Sequence, residues 1–309
     1  MSVNGTADRR ALGALILGAV LIGFAPIFVR LTDVGYTACA FWRVALSLPV
    51  LGVLLQLQGG FSSARSEGLK WLLLAGLFFG GDLAVWHQSI RYTSVANATL
   101  MANIAPVFVT LAAFLIFGER FRWSFVAGLA LALTGAAVLV SNSLRLGRDS
   151  VFGDLCGLLA AVFYAGYILL VSRSRGRYSA AAVMFWTTLA TATLLLIVTL
   201  LAGERIWPQS LHGWLVLLGL ALLSHCAGQG LIAYALAHLP AAFSAVGLLV
   251  QPLAAAVFAW ALLAEPFGPR QAFGGAVVLA GIVTCRLAML RASAQSPGNA
   301  AAPAAAPPA

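Results

Sequence analysis

Long apolar stretches recur along the whole chain, separated by short polar gaps. A helix needs about 20 residues to cross the hydrocarbon core of a bilayer, so each stretch predicts a transmembrane helix rather than a strand. We therefore expect an all-α, multi-pass integral membrane protein with ten transmembrane helices. The predicted spans are 11–30, 34–57, 69–91, 94–117, 123–142, 152–171, 180–202, 212–237, 240–263 and 270–290.

The two ends of the chain lack this pattern. Residues 1–10 are predicted to be a cytoplasmic N-terminal segment that leads into a retained first span. Residues 292–309 are mostly Ala and Pro, a composition that cannot form a core, and we expect a disordered tail there. Ten spans then fill two regions, 11–142 and 152–291, which we interpret as two structural repeats.

The composition supports this class. Hydrophobic residues make up 61% of the chain and charged residues only 9%, whereas a soluble domain is about a quarter charged. The net charge of +9 does not indicate nucleic acid, because the basic residues lie in short gaps between apolar stretches, as loop anchors do. Each of the four cysteines stands alone in its own stretch, so neither a metal site nor a disulfide framework is predicted, and no cofactor is expected.

The distribution of Lys and Arg predicts the orientation. If the N-terminus is cytoplasmic, the inner segments carry most of the 18 Lys and Arg residues, including Arg9, Arg10, Arg173, Arg175 and Arg177. Such an excess marks cytoplasmic loops. We therefore expect both termini in the cytoplasm and a location in the bacterial cytoplasmic (inner) membrane.

An internal repeat relates the two halves. Tyr92–Ser141 aligns with His238–Leu287 at a constant offset of 146 positions without a gap. Five spans per half is an odd number, so the second repeat enters the membrane inverted, and inverted repeats are typical of secondary transporters. The matched pairs are Pro106 with Pro252, Glu119 with Glu265, Phe121 with Phe267, Gly128 with Gly274, and Gly135 with Gly281.

The segments PVFVTLAAFLIFGERF and QPLAAAVFAWALLAEPF close the fourth and ninth spans. Together with the two five-helix repeats they resemble the drug/metabolite transporter superfamily in its EamA branch. The resemblance covers about residues 11–290. It implies ten helices around a central cavity and the movement of metabolites such as amino acids, often outward.

The function predicted is secondary active transport of a small polar metabolite, with export and proton coupling as expectations. The expected partners are this small-molecule substrate, membrane lipid and protons, and nucleic acid is not among them. One alternative is a membrane enzyme that acts on a lipid-linked substrate, although no clustered Asp/His or Ser/His/Asp set and no phosphate loop occurs in the sequence. The other alternative is a channel or a scaffold. The pattern specifies neither the substrate nor the oligomeric state.

Polar residues inside apolar spans are costly in lipid and are therefore candidates for function. Asp82 lies near the middle of the third span, and Arg43 is the one cation deep within a span. Both are placed about 13 Å below the same face at about 1.5 Å per residue, so an ion pair is expected. It is either a permanent structural pair or one in which Asp82 binds a proton during transport.

Four further polar or aromatic residues accompany Asp82. Trp86 lies one turn along the same helix and can stack on a substrate, while His87 near the outer interface can titrate or hydrogen-bond. His225 and Gln229 lie one turn apart in the eighth span. The alternative for each is ordinary helix packing or hydrogen bonding between helices.

Asn103 and Gln251 precede Pro106 and Pro252 in the two repeats. Proline frees a carbonyl one turn back, which in a membrane needs a partner or a wet cavity. Broken helices at matched places indicate a binding site, and the alternative is a kink whose carbonyl is satisfied by neighbouring side chains.

Tyr164 and Tyr167 can add aromatic walls from the sixth span, or else anchor it at the interface. Glu119 and Glu265 lie at helix ends and are interpreted as structural or gating residues at the two mouths.

Overall fold

The computed structural model describes residues 5–58, 66–93, 95–141, 148–264 and 267–294. Glu265 and residues 295–309 of the predicted tail lie outside these described residues. The helices, in chain order, are α1 (Gly5–Ile22), α2 (Ala25–Leu31), α3 (Tyr36–Ala45), α4 (Leu48–Leu57), α5 (Ser66–Tyr92), α6 (Val95–Ala102), α7 (Ala105–Phe117), α8 (Trp123–Val140), α9 (Arg148–Ser174), α10 (Ala180–Ala202), α11 (Leu211–Gly219), a π-helix (Leu220–Gln229), α12 (Gly230–Ala235), α13 (Ala241–Gly247), α14 (Val250–Leu263) and α15 (Pro269–Ala294).

The all-helical membrane fold is confirmed. Across the described ranges, nine helices are long and apolar enough to cross a membrane, counting the two parts of a broken span as one helix. Their bounds agree with the predicted spans to within a few residues. The predicted fifth span corresponds to the shorter apolar helix Trp123–Leu139.

Four of the spans are broken, and a proline follows each break. Pro106 and Pro252 interrupt the fourth and ninth spans, as the repeat predicts. Pro26 and Pro49 interrupt the first and second spans in the same way, between α1 and α2 and between α3 and α4. Proline lacks the N–H of a continuous helix and clashes with the preceding turn, but it fits the first turn of a new helix. The apolar pattern predicts these first two spans as continuous helices, and that prediction is wrong at both breaks.

The eighth span contains a different irregularity. Its middle, Leu220–Gln229, forms a π-helix between α11 and α12. A π-helix shifts the hydrogen bonds to the fifth residue along, which widens the helix and often marks a functional segment. The irregular backbone of this span therefore carries both His225 and Gln229.

Helices α8 and α15 occupy matched positions in the two repeats, and they pack against each other through their glycines. A Cβ atom added at Gly135 would lie 2.8 Å from the Gly274 carbonyl oxygen, and one added at Gly274 would lie 2.9 Å from that of Gly135. A Cβ atom added at Gly128 would lie 2.9 Å from the Gly281 carbonyl oxygen. Small residues permit this close approach of two membrane helices.

Two loops are clamped together at one face of the molecule, namely residues 32–35 before α3 and residues 203–210 before α11. Glu204 accepts hydrogen bonds from the Thr37 backbone N–H at 2.8 Å and from its hydroxyl at 2.7 Å, which caps α3. Asp33 reciprocally accepts from the Gln209 N–H at 3.1 Å and the Ser210 hydroxyl at 3.0 Å. Desolvation raises the pKa of Asp33, but these hydrogen bonds outweigh it and leave the pKa below its ordinary value.

Three tryptophans extend this clamp. Trp42 donates from its indole N–H to the Ile206 carbonyl at 2.7 Å, and its ring centroid lies 5.3 Å from Trp207 and 5.0 Å from Trp214. We call this end of the molecule the clamp face.

The opposite end is closed by two arginines. Arg286 of α15 forms an ion pair with Asp8 of α1, and its guanidinium lies 5.4 Å from the Phe243 ring centroid on α13. Arg175, after α9, donates from Nε to the Ala233 carbonyl at 2.9 Å. We call this end the terminal face, because the first and last helices meet there.

Candidate functional site

A cavity of about 110 Å³ lies between the broken helices. Segments of seven spans line it: the first, second, third, fourth, sixth, eighth and ninth. Its walls are mostly apolar, and the polar or amphipathic side chains among them are Arg43, Asp82, Trp86, Thr99, Asn103, Tyr164, Gln229 and Gln251. The structure thus brings seven of the ten sequence-predicted site residues to one cavity.

Irregular backbone presents three of these side chains. Asn103 lies in the break between α6 and α7, and Gln251 lies in the first turn of α14 after the break that precedes it. Gln229 ends the π-helix. Within a membrane, non-helical backbone is tolerated where it lines a cavity. These three departures from regular α-helix therefore all indicate the same cavity.

Arg43 on α3 and Asp82 on α5 are the two charged residues among those described as lining the cavity. They are 5% and 9% exposed and lie within electrostatic range of each other. The expected ion pair is not formed: no salt bridge or hydrogen bond joins the two side chains in the described part of the chain. A single buried charge in a membrane protein is unfavourable, so each one offsets the other. The Arg43 Nε atom is buried without a hydrogen-bond partner.

Tyr164 connects the sixth span to the eighth and ninth. Its hydroxyl is within hydrogen-bonding reach of the side chains of Gln229 and Gln251, and the Tyr167 hydroxyl is within reach of Gln229. The two tyrosine rings stack with centroids 6.0 Å apart, and the ring centroid of Phe79 lies 4.7 Å from that of Tyr167. Tyr167 is 1% exposed and packs behind the cavity wall instead of lining it.

His87 does not line the cavity. It is fully buried, with Nδ1 2.7 Å from the Leu83 carbonyl oxygen one turn back. Its ring makes an edge contact with Trp86 at 5.0 Å between centroids. The position of His87 along the helix was predictable from the sequence, whereas its rotation toward neighbouring helices was not.

His225 also lies behind the cavity wall. Its Nε2 atom is 2.8 Å from the Thr188 hydroxyl oxygen, and its ring stacks on Phe79 at 5.6 Å. Because Phe79 itself lines the cavity, His225 supports a lining residue from behind.

Several lining residues were not predicted from the sequence. Ile22 and Pro26 line the cavity at the break in the first span, and Thr99 lines it from the fourth. The signal for the first break was present, since Pro26 stands within an apolar stretch as Pro106 does. Apolar lining residues such as Leu83 gave no signal, because an apolar residue in an apolar span is indistinguishable from one that faces lipid.

A second cleft, of about 380 Å³, leads from this region toward the clamp face. It is lined by the end of α2, the loop that follows and Ile90 of α5, and it shares Pro26 with the cavity. The clamp-face side of the cavity thus borders this cleft at Pro26, while the contacts of Arg286 and Arg175 lie at the terminal face.

Within the described residues, no group of three or more His, Cys, Asp or Glu side chains could hold a metal ion. The polar groups that line the cavity are instead a cation, a carboxylate, amides and hydroxyls. This set can bind and orient a small polar solute, and it is spread over both repeats.

The chain is similar in sequence to known membrane transporters. The model of the EamA-like transporter family matches residues 9–141 and 151–286. The pseudopaline exporter CntI of Pseudomonas aeruginosa is 28% identical over 245 residues, which covers 79% of this chain and 83% of that protein. A probable terminal-alkyne amino-acid exporter of Streptantibioticus cattleyicolor is 28% identical over 301 residues, covering 94% and 98%.

A solved crystal structure has the same fold. It superposes with a TM-score of 0.77 at 20% identity and covers 92% of this chain and 98% of its own. At this identity the likeness concerns the fold alone.

Proposed function

Because the chain belongs to the EamA-like transporter family, we propose that it is a secondary active transporter that exports a small polar metabolite across the cytoplasmic membrane. The substrate is an amino acid or a related compound, and the mechanism is alternating access. The names of two relatives, a pseudopaline exporter and a probable amino-acid exporter, support the direction and the class of solute. We place both termini in the cytoplasm, in accord with the distribution of Lys and Arg.

The observation that carries the proposal is a small cavity that contains one buried cation and one buried anion. Arg43 and Asp82 are the charged side chains of a lining that is otherwise neutral and mostly apolar. Burying a charged group within a membrane is energetically unfavourable, so such groups occur mainly where a solute or an ion passes. The cavity is smaller than the roughly 300–1,000 Å³ that encloses a drug-sized ligand, so it suits a small solute of low net charge.

Alternating access uses the broken helices as hinges. The breaks that precede Pro26, Pro106 and Pro252 all border the cavity, and few hydrogen bonds oppose bending at a break. In the present conformation the cavity leads toward the clamp face. In the second conformation the contacts at the terminal face separate, and the cavity leads there.

Coupling to protons is assigned to Asp82. Protonation would cancel its charge and leave Arg43 without a counter-charge, so proton uptake and substrate binding are linked through this pair. A permanent structural pair would not change its protonation during the cycle, and this difference can be measured.

The first experiment compares metabolites inside and outside bacterial cells that express the wild type, Asp82→Asn or an empty vector, by untargeted mass spectrometry. We expect one class of polar compound to accumulate in the medium only with the wild type. Asp154→Asn, the same substitution at a residue near the clamp face, serves as the matched control and should export like the wild type. Equal profiles for the wild type and the empty vector would count against transport.

The pH dependence of the export rate tests the role of Asp82. Wild-type export should change with external pH, whereas Asp82→Asn should lose at least about 90% of the rate or lose its pH dependence while remaining folded. Retained, pH-dependent export by Asp82→Asn would assign the pair a purely structural role.

A further inference from the structure

The cavity has an excess of unsatisfied hydrogen-bond donors. The Arg43 Nε, Gln229 Nε2 and Gln251 Nε2 atoms are all buried without a hydrogen-bond partner in the described structure. All three side chains line the cavity, and two of them, Arg43 and Gln229, are at least nine-tenths buried. The Thr99 hydroxyl on the same lining also has no partner.

These donors are not satisfied by their neighbours. The hydroxyl of Tyr164 lies near both glutamine side chains, but neither amide nitrogen makes a hydrogen bond of ordinary geometry in the described structure. The other amide of the lining, Asn103, donates to the Thr99 carbonyl at 2.7 Å and is therefore already paired. Buried donors without acceptors are unfavourable, so an occupant with acceptor oxygens would be favoured.

We infer that Arg43, Gln229 and Gln251 form a carboxylate-recognition subsite, with Asp82 receiving a cationic group of the same solute. The inference rests on the proposed transport function and adds the chemistry that selects the solute. A carboxylate presents two acceptor oxygens, which match a guanidinium N–H and two amide NH₂ groups from three different spans. Phe79, Leu83 and other apolar lining residues receive the rest of the molecule.

The charges of the lining distinguish this solute from a dianion. The charged side chains among the described lining residues are one cation, Arg43, and one carboxylate, Asp82. A phosphate or dicarboxylate would bring uncompensated negative charge into the membrane interior. A zwitterion with one carboxylate and one ammonium keeps every charge paired.

Three small molecules test this subsite. The first is valine, the second is isobutylamine, which lacks the carboxylate of valine, and the third is isovalerate, which lacks its ammonium group. The thermal unfolding midpoint of the purified full chain is measured over a concentration series of each probe. Valine should stabilise the wild type at concentrations at least about tenfold lower than isobutylamine, because a hydrogen-bonded charged group contributes tenfold or more to affinity.

Two substitutions at Gln251, which is only partly buried, locate the effect. Gln251→Leu removes the donor and should weaken valine and isovalerate about tenfold, while isobutylamine binds as before. Gln251→Glu adds a carboxylate at this position and should weaken the two acids further while strengthening isobutylamine. Gln56→Glu, the same change at an exposed site on α4, should behave like the wild type.

The subsite is wrong if isobutylamine stabilises the wild type as well as valine does, if Gln251→Leu weakens all three probes equally, or if no probe stabilises the wild type. The metabolite experiment separates this failure from failure of the transport proposal. Asp82-dependent export of a compound without a carboxylate would overturn the subsite and leave transport intact.

Discussion

At the scale of single residues, Arg43 and Asp82 could be predicted because charge is rare in this chain. Their depth along two helices was enough to expect them near each other, and the structure places both on the cavity lining, although no salt bridge joins them in the described residues. His87 and His225 show the limit of this reasoning. Polarity within an apolar span identifies a residue of interest, but it does not show whether the side chain faces a cavity or a neighbouring helix.

The energetic coupling of Arg43 and Asp82 is open to a double-mutant cycle. Arg43→Gln should lower the free energy of unfolding by about 3–5 kcal/mol, because it leaves a buried carboxylate without a counter-charge. Adding Asp82→Asn should restore most of that loss. The measurement is chemical unfolding of the purified variants in detergent, and strictly additive effects of the two substitutions would show that the residues do not form a pair.

At the scale of helices, proline positions predicted two breaks and could have predicted four. The breaks before Pro106 and Pro252 were recognised because the repeat aligned them, whereas Pro26 and Pro49 have no repeat partner. The π-helix at Leu220–Gln229 left no comparable signal. Packing against α1, α2 and α3 surrounds that segment, and such tertiary contacts lie outside any local sequence pattern.

The break in the ninth span should matter for transport more than for stability. Pro252→Ala restores a backbone N–H and allows α13 and α14 to join, so we expect export to fall several-fold while the free energy of unfolding changes by about 1 kcal/mol or less. Pro269→Ala, in the first turn of α15, is the matched control without a break. Full export by Pro252→Ala would exclude this break as a hinge.

At the scale of the whole molecule, the repeat predicted that two halves share one cavity. The structure adds how they meet: α8 packs on α15 through glycines, Glu204 from the loop before α11 caps α3, and Asp33 from the loop before α3 accepts a hydrogen bond from Ser210. It also shows that Asp8 and Arg286, from opposite ends of the chain, meet at one face. None of these contacts could be predicted, because each depends on the relative rotation of helices distant in sequence.

The central claim is that one cavity opens alternately to two faces, and labelling of a cavity cysteine tests it most directly. Ala255 lines the cavity, so Ala255→Cys is introduced into a variant in which the four native cysteines are replaced. A membrane-impermeant maleimide is then applied from either side of a sealed membrane. We predict labelling mainly from the clamp face. Asp8→Asn removes the ion pair with Arg286 and should increase labelling from the terminal face several-fold. The double exchange Asp8→Arg with Arg286→Asp restores an ion pair and should reverse this increase. Equal labelling from both faces in every variant would indicate an open channel, and labelling from one face alone in every variant would contradict alternating access.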